Sequence, residues 1–151
     1  FDAQVLPVIY DSFKPKISDG FHVHNQGKKM CIVATGFMMH TALKVLDEIS
    51  KEGINVGLID IFNLTNFNAN KLDSILSSYS GLITIEEGFR GRGGLDSMLF
   101  EFSSRRNIDI QLLNVGVEPG YSFELGTRSE LHEKVGIGIN SILSQIRLFF
   151  N

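Results

Sequence analysis

The sequence predicts an α/β fold built on a mainly parallel sheet, and two observations carry that expectation. From Met30 onward, short apolar, β-rich runs alternate with segments whose apolar residues recur every three or four positions, the rhythm of βα units around a parallel sheet. The strand-like runs are also apolar enough to be buried on both faces, as strands between two helical layers must be.

Each element can be justified in order. "MCIVAT" (Met30 to Thr35) reads as a strand ending at Gly36. The next segment places Met39, Ala42, Val45, Leu46 and Ile49 on one stripe of a helix that stops near Gly53. "INVGLIDI" (Ile54 to Ile61) is the next strand, followed by a helix with Leu72, Ile75, Leu76 and Tyr79 on one face and Asn residues at its start suited to capping. "LITIEE" then leads through "GFRGRGG" into a helix aligned on Leu95, Met98, Leu99 and Phe102. "IQLLNVGV" (Ile110 to Val117) is the last strand. Thr127-Arg128-Ser129-Glu130 fits a capping box, so a short helix starts there and runs to about Val135. The final helix carries Ile139, Ile142, Leu143, Ile146, Phe149 and Phe150. Before Met30, "FHVH" (Phe21 to His24) can add an antiparallel edge strand, since only a short turn follows it. Residues 1–19 differ in kind: they begin without Met and carry an apolar run from Val5 to Tyr10. They read as a linker and the tail of a preceding domain, with the α/β domain occupying residues 20–151.

Composition narrows the function. A chain of 151 residues with 43% hydrophobic and 21% charged residues is one ordinary folded domain rather than a disordered segment. A net charge of −3 lacks the basic surface that nucleic-acid binding needs. No apolar run reaches the roughly 18 to 20 residues that span a bilayer, and the N-terminus has no signal-peptide pattern, so no membrane partner is expected. Cys31 is alone within an apolar run, the setting of a buried inert thiol and compatible with a cytoplasmic location.

The glycine loop between Glu86 and Leu95 invites a nucleotide-binding reading, because a strand, a glycine turn and a helix start are the parts of a phosphate cradle. The dinucleotide fingerprint needs glycine at its first, third and sixth positions, but counting from Gly91 gives Gly93 and then Asp96. The Gly-Lys-Ser/Thr of a P-loop is absent, and Glu86 and Glu87 at the strand's carboxyl end would repel a phosphate. The loop reads better as backbone that approaches another protein surface, with Gly93-Gly94 opening the helix. His22 and His24 share one face of the edge strand and read as an exposed pair without a third metal ligand. His40, after Gly36 at the carboxyl end of a strand, either serves a site or packs. His132 reads as a solvated residue in a charged helix. No Gly-x-Ser-x-Gly elbow or other nucleophile arrangement is present, so no catalytic, cofactor-binding or metal-binding residue is assigned.

The ordered series "GKKMCIVATG", "GINVGLIDI", "ITIEEG" and "GG" opening a helix resembles the C-terminal domain of the transketolase-like thiamine-diphosphate enzymes. "FELGTRSELHEKVGI" is similar to the terminal segment of the deoxyxylulose-phosphate synthase and transketolase branches of that family, which also includes the 2-oxoacid dehydrogenase E1 beta type. The resemblance covers about residues 20 to 147. It departs at Asn66-Phe67-Asn68, where the family commonly has Pro-x-Asp, and at Leu125, where the synthase branch commonly has His.

The resemblance implies a three-layer α/β/α domain over a five-stranded mixed sheet with one antiparallel edge. It also implies a parent enzyme, a homodimer, that transfers two-carbon or acyl units. The parent would hold thiamine diphosphate and Mg²⁺ on upstream domains of the same chain, with none in this part. The residues expected at an interface are His40, Glu86, Glu87, Arg92, Gly93 and Gly94, and the chain alone would not catalyse. Two alternatives stay open: a stand-alone module binding a small anion, or one subunit of a two-chain enzyme.

Overall fold

The computed structural model describes residues 5–11 and 14–150. The abrupt start at Phe1 and the last position of the final apolar stripe, the Phe150 side chain, lie outside what is described.

Five strands form one sheet: β1 (Phe21–Asn25), β2 (Met30–Ala34), β3 (Gly57–Ile61), β4 (Gly81–Phe89) and β5 (Gln111–Val117), in the spatial order β1-β3-β2-β4-β5. The central three and β5 run parallel, and β1 pairs antiparallel with β3 at the edge. The helices are α1 (Met38–Lys51), α2 (Ala69–Leu76), α3 (Leu95–Arg106), α4 (Arg128–Lys134) and α5 (Ile139–Phe150). The mixed sheet between helical layers matches the expected fold class.

Strand alternation divides the core in two. Ile32, Ala34, Leu58, Ile83 and Ile85 face one way and pack with Met39, Val45 and Ile49 of α1 and Ile142 and Ile146 of α5. Cys31, Val33, Ile59, Ile61 and Leu82 face the other way, onto Leu72 and Leu76 of α2 and Leu95 and Leu99 of α3. β2 and β3 are buried along their whole length, as an apolar strand between two layers should be. Leu46, expected on the α1 stripe, is only partly buried against the first of these clusters.

The edge strand forms as expected, but its neighbour is not the strand that follows it in sequence. β1 lies beside β3, so residues 26–29 must cross the start of β3 to reach β2. The crossing is tight: a Cβ at Gly27 would lie 1.8 Å from the Gly57 backbone nitrogen. Lys28 N–H donates to the Asn55 carbonyl there, and Lys29 takes a left-handed φ of 62°. Both predicted caps are present. The Asn68 side chain accepts from Lys71 N–H, and Thr127 and Glu130 form a reciprocal capping box.

Candidate functional site

Adjacent residues of a strand point to opposite sides of a sheet. Glu86 and Glu87 therefore do not act as a pair. Each is the centre of a separate network at the carboxyl end of β4.

Glu86 faces α3 and is 5% exposed. Its Oε2 accepts from Leu95 N–H at 3.0 Å and its Oε1 from Asp96 N–H at 2.9 Å. Gly94, the N-cap residue, has no side chain to satisfy the first turn of α3, and the strand supplies the acceptor instead. The anion in the cradle is thus the chain's own carboxylate, stabilised by the partial positive charge of the helix start. Burial raises the Glu86 carboxyl above its ordinary 4.5, while the two backbone donors hold it down. The glycines leave it room: a Cβ on Gly94 would lie 2.0 Å from Oε2, and one on Gly88 2.7 Å. Asp96 closes the loop, its Oδ2 accepting from Gly91 N–H at 2.6 Å, and the Ser97 hydroxyl accepts from Gly93 N–H at 3.0 Å.

Glu87 faces α1 and α4. Arg128 holds it in a two-pronged contact, Nε to Oε1 at 2.9 Å and Nη2 to Oε2 at 2.7 Å, and His132 Nε2 lies 2.8 Å from Oε1. The Arg128 guanidinium stacks 3.5 Å above the Phe37 ring, and Phe37 also touches the rings of His40 and His132. His132 is buried in this network and not solvated as its charged neighbours imply. α4 has only seven residues, and its His132 reaches Glu87 of β4 and the Phe37 ring just before α1.

A third group sits on the same face at the sheet edge. Asp60 of β3 is 4% exposed, and the Tyr10 hydroxyl donates to its Oδ2 at 2.5 Å. His24 Nε2 lies 3.2 Å from the same hydroxyl, and the rings of Tyr10, His22 and His24 pack together. His22 and His24 are therefore half-buried partners of Tyr10 rather than an exposed pair. Burial and then the neighbouring His22 push His24 down to about 4. Burial raises Asp60, against the Tyr10 hydrogen bond and the charges of His22 and His40.

The expected interface residues therefore separate. Arg92 and Gly93 are exposed and Gly94 half-buried at the loop, Glu87 is exposed but tied to α4, His40 is half-buried beside Phe37, and Glu86 is turned inward. Glu86, at 5% exposure, fills the start of α3 and so positions that helix. Tyr10, Phe37, Asp60 and Arg128 were missed by sequence reasoning; the alternation of Glu86 and Glu87 was the available signal for the Arg128 network.

The polar groups at this end of the sheet are spent on one another. Among the described residues, no three His, Cys, Asp or Glu side chains are grouped so as to hold a metal ion. Cys31 is fully buried, with its thiol raised by burial. A groove of 640 Å³ lined by Lys16, Asp19, Phe21 and Lys71 lies along β1 and α2, away from the glycine loop, and both lysines pair with Asp19. No described helix is long and apolar enough to cross a membrane.

Comparison with known proteins places these features in a context. The sequence model described as "Transketolase, C-terminal domain" matches residues 20–142. The chain is similar to 1-deoxy-D-xylulose-5-phosphate synthase of Chlamydia abortus, 30% identical over 127 residues that make up 84% of this chain and 19% of that protein. The synthase of Aquifex aeolicus is 30% identical over 81% of this chain and 19% of its own length. That of Chlamydia caviae is 27% identical over 96% of this chain and 24% of its own. The chain thus spans about a fifth of the length of these relatives. A solved structure described as "Split gene transketolase, inactive beta4 tetramer" superposes with a TM-score of 0.75 at 27% identity, covering 86% of this chain and 42% of that one.

Proposed function

The chain belongs to the transketolase C-terminal domain family, and from that premise we propose that it is the C-terminal structural and interface domain of a thiamine-diphosphate enzyme that transfers two-carbon or acyl units. The observation that carries this reading is the closed state of its own site. At the carboxyl end of the sheet, Glu86 is committed to α3, Glu87 to Arg128 and His132, and Asp60 to Tyr10. The residues here do not fit a diphosphate with its cation, because the helix start that would face the phosphate already holds a carboxylate. Thiamine diphosphate and Mg²⁺ belong, in this reading, to upstream domains, and no step of the reaction runs through this chain. The loop bearing Arg92, Gly93 and Gly94 faces outward, where it meets neighbouring domains or the second subunit of a homodimer in the cytoplasm. The same filled helix start speaks against a small-anion module.

A second reading, one subunit of a two-chain enzyme, is favoured by one observation: the structural relative is described as a split-gene transketolase. Reading the coding sequence upstream of Phe1 separates the two. The cofactor assignment is tested by calorimetric titration with thiamine diphosphate and Mg²⁺. The chain by itself is expected to give no saturable heat, and the chain extended upstream to bind. Saturable micromolar binding by this chain alone, at one site per molecule, refutes the assignment.

A further inference from the structure

Between β5 and α4 the chain runs through "EPGYSFELG", residues 118–126, without helix or strand. Three side chains there are almost fully exposed: Tyr121 at 95%, Phe123 at 91% and Leu125 at 91%. They alternate with polar or small residues at period two, the spacing that puts side chains of an extended segment on one side. Single exposed apolar residues need no explanation, but three large ones within five positions do.

The segment is not loose at its ends. Arg90 of the glycine loop pairs with Glu118, and Arg90 N–H donates to the Val117 carbonyl. Glu124 pairs with Lys134 of α4 at 2.8 Å, and Arg128, just beyond the segment, is clamped by Glu87. Glu118 and Glu124 are thus tied back to the domain while the apolar side chains are exposed. Among the described residues, no backbone-to-backbone hydrogen bond involves residues 119–126. Their C=O groups, and the N–H groups of residues 120–126, are available to a partner or to water.

We infer that residues 118–126 are an arm that docks Tyr121, Phe123 and Leu125 onto an apolar face of the upstream part of the same protein, the backbone adding its hydrogen bonds there. This deepens the interface reading above and rests on it. The occupant is argued from the relatives, of whose length this chain spans about a fifth, and from the proposed place of this domain at the end of such a protein. The segment is also continuous with the glycine loop through the Arg90–Glu118 pair.

The test is hydrogen exchange on the protein with its upstream sequence, compared with its Phe123→Ser/Leu125→Ser variant. The amides of residues 120–126 should exchange at least about 100-fold slower than in an unstructured peptide. The variant should return them to the fast rate while the amides of β2 and β3 stay protected. Fast exchange of the arm in the unsubstituted protein overturns the inference, whether or not that protein binds thiamine diphosphate. Slow exchange that develops only as protein concentration rises assigns the occupant to a second copy and also overturns it. Slow, concentration-independent exchange in a protein that binds no thiamine diphosphate supports the arm and removes the cofactor reading alone.

Discussion

Replacing Glu86 by Ala should destabilise the domain by about 2 to 4 kcal/mol. The carboxylate satisfies the N–H groups of Leu95 and Asp96, which are 0% and 2% exposed, so water has little access to them once the acceptor is gone. Each orphaned buried donor costs about 1–3 kcal/mol. Against that sum stands the relief of no longer burying a carboxylate near Asp96, whose charge raises the Glu86 carboxyl. The assay is urea unfolding followed by circular dichroism. Gly94→Ala should cause a comparable loss, since its Cβ would sit 2.0 Å from Oε2 and displace the carboxylate from both donors. Once Glu86 is gone that Cβ has room, so the double variant should lose less than the sum of the single losses by at least about 1 kcal/mol. The pH dependence has a definite sign. A carboxyl raised in the folded state gives up stability as pH rises from the ordinary 4.5 through its folded value. The Glu86→Gln variant should lack that decline. A loss under about 0.5 kcal/mol for Glu86→Ala, or simple additivity with Gly94→Ala, would refute the self-capping account of α3.

Gly27→Ala should cost at least about 2 kcal/mol, because its Cβ would meet backbone of Val56 and Gly57 rather than a movable side chain; a thermal melt within a degree of the parent would contradict the crossing geometry. His24, pushed down to about 4 by burial and His22, binds its proton more readily unfolded, so it lowers stability as pH falls from about 6.5 toward 4. His24→Phe should flatten the stability profile in that window, and an unchanged slope would argue against its burial beside Tyr10. Glu87→Ala with Arg92→Ala in the protein with its upstream sequence should weaken subunit assembly, measured by sedimentation; normal assembly and turnover would remove these two residues from the interface.

The layered α/β class is legible in the order of residues alone, because strands buried on both faces and helices with one apolar stripe can be satisfied together only between layers. The caps at Asn68 and Thr127 are legible there too, since each links residues three apart. The sequence also excluded the dinucleotide fingerprint at Gly91, a matter of spacing alone. Tertiary structure decided which strand β1 joins, because register across an edge depends on a crossing that local pattern does not encode. It decided the roles of the histidines as well. His132 is 45 residues from Glu87 in sequence and farther still from Phe37, yet meets both in space. Tyr10 likewise reaches Asp60 across 50 positions. Local sequence reports the polarity of neighbours along the chain, whereas burial and pairing of a titratable group depend on neighbours across the fold. The glycine loop shows both sides: its glycines and acids were plain to see, but only the packing of β4 against α3 showed that the loop closes on its own Glu86.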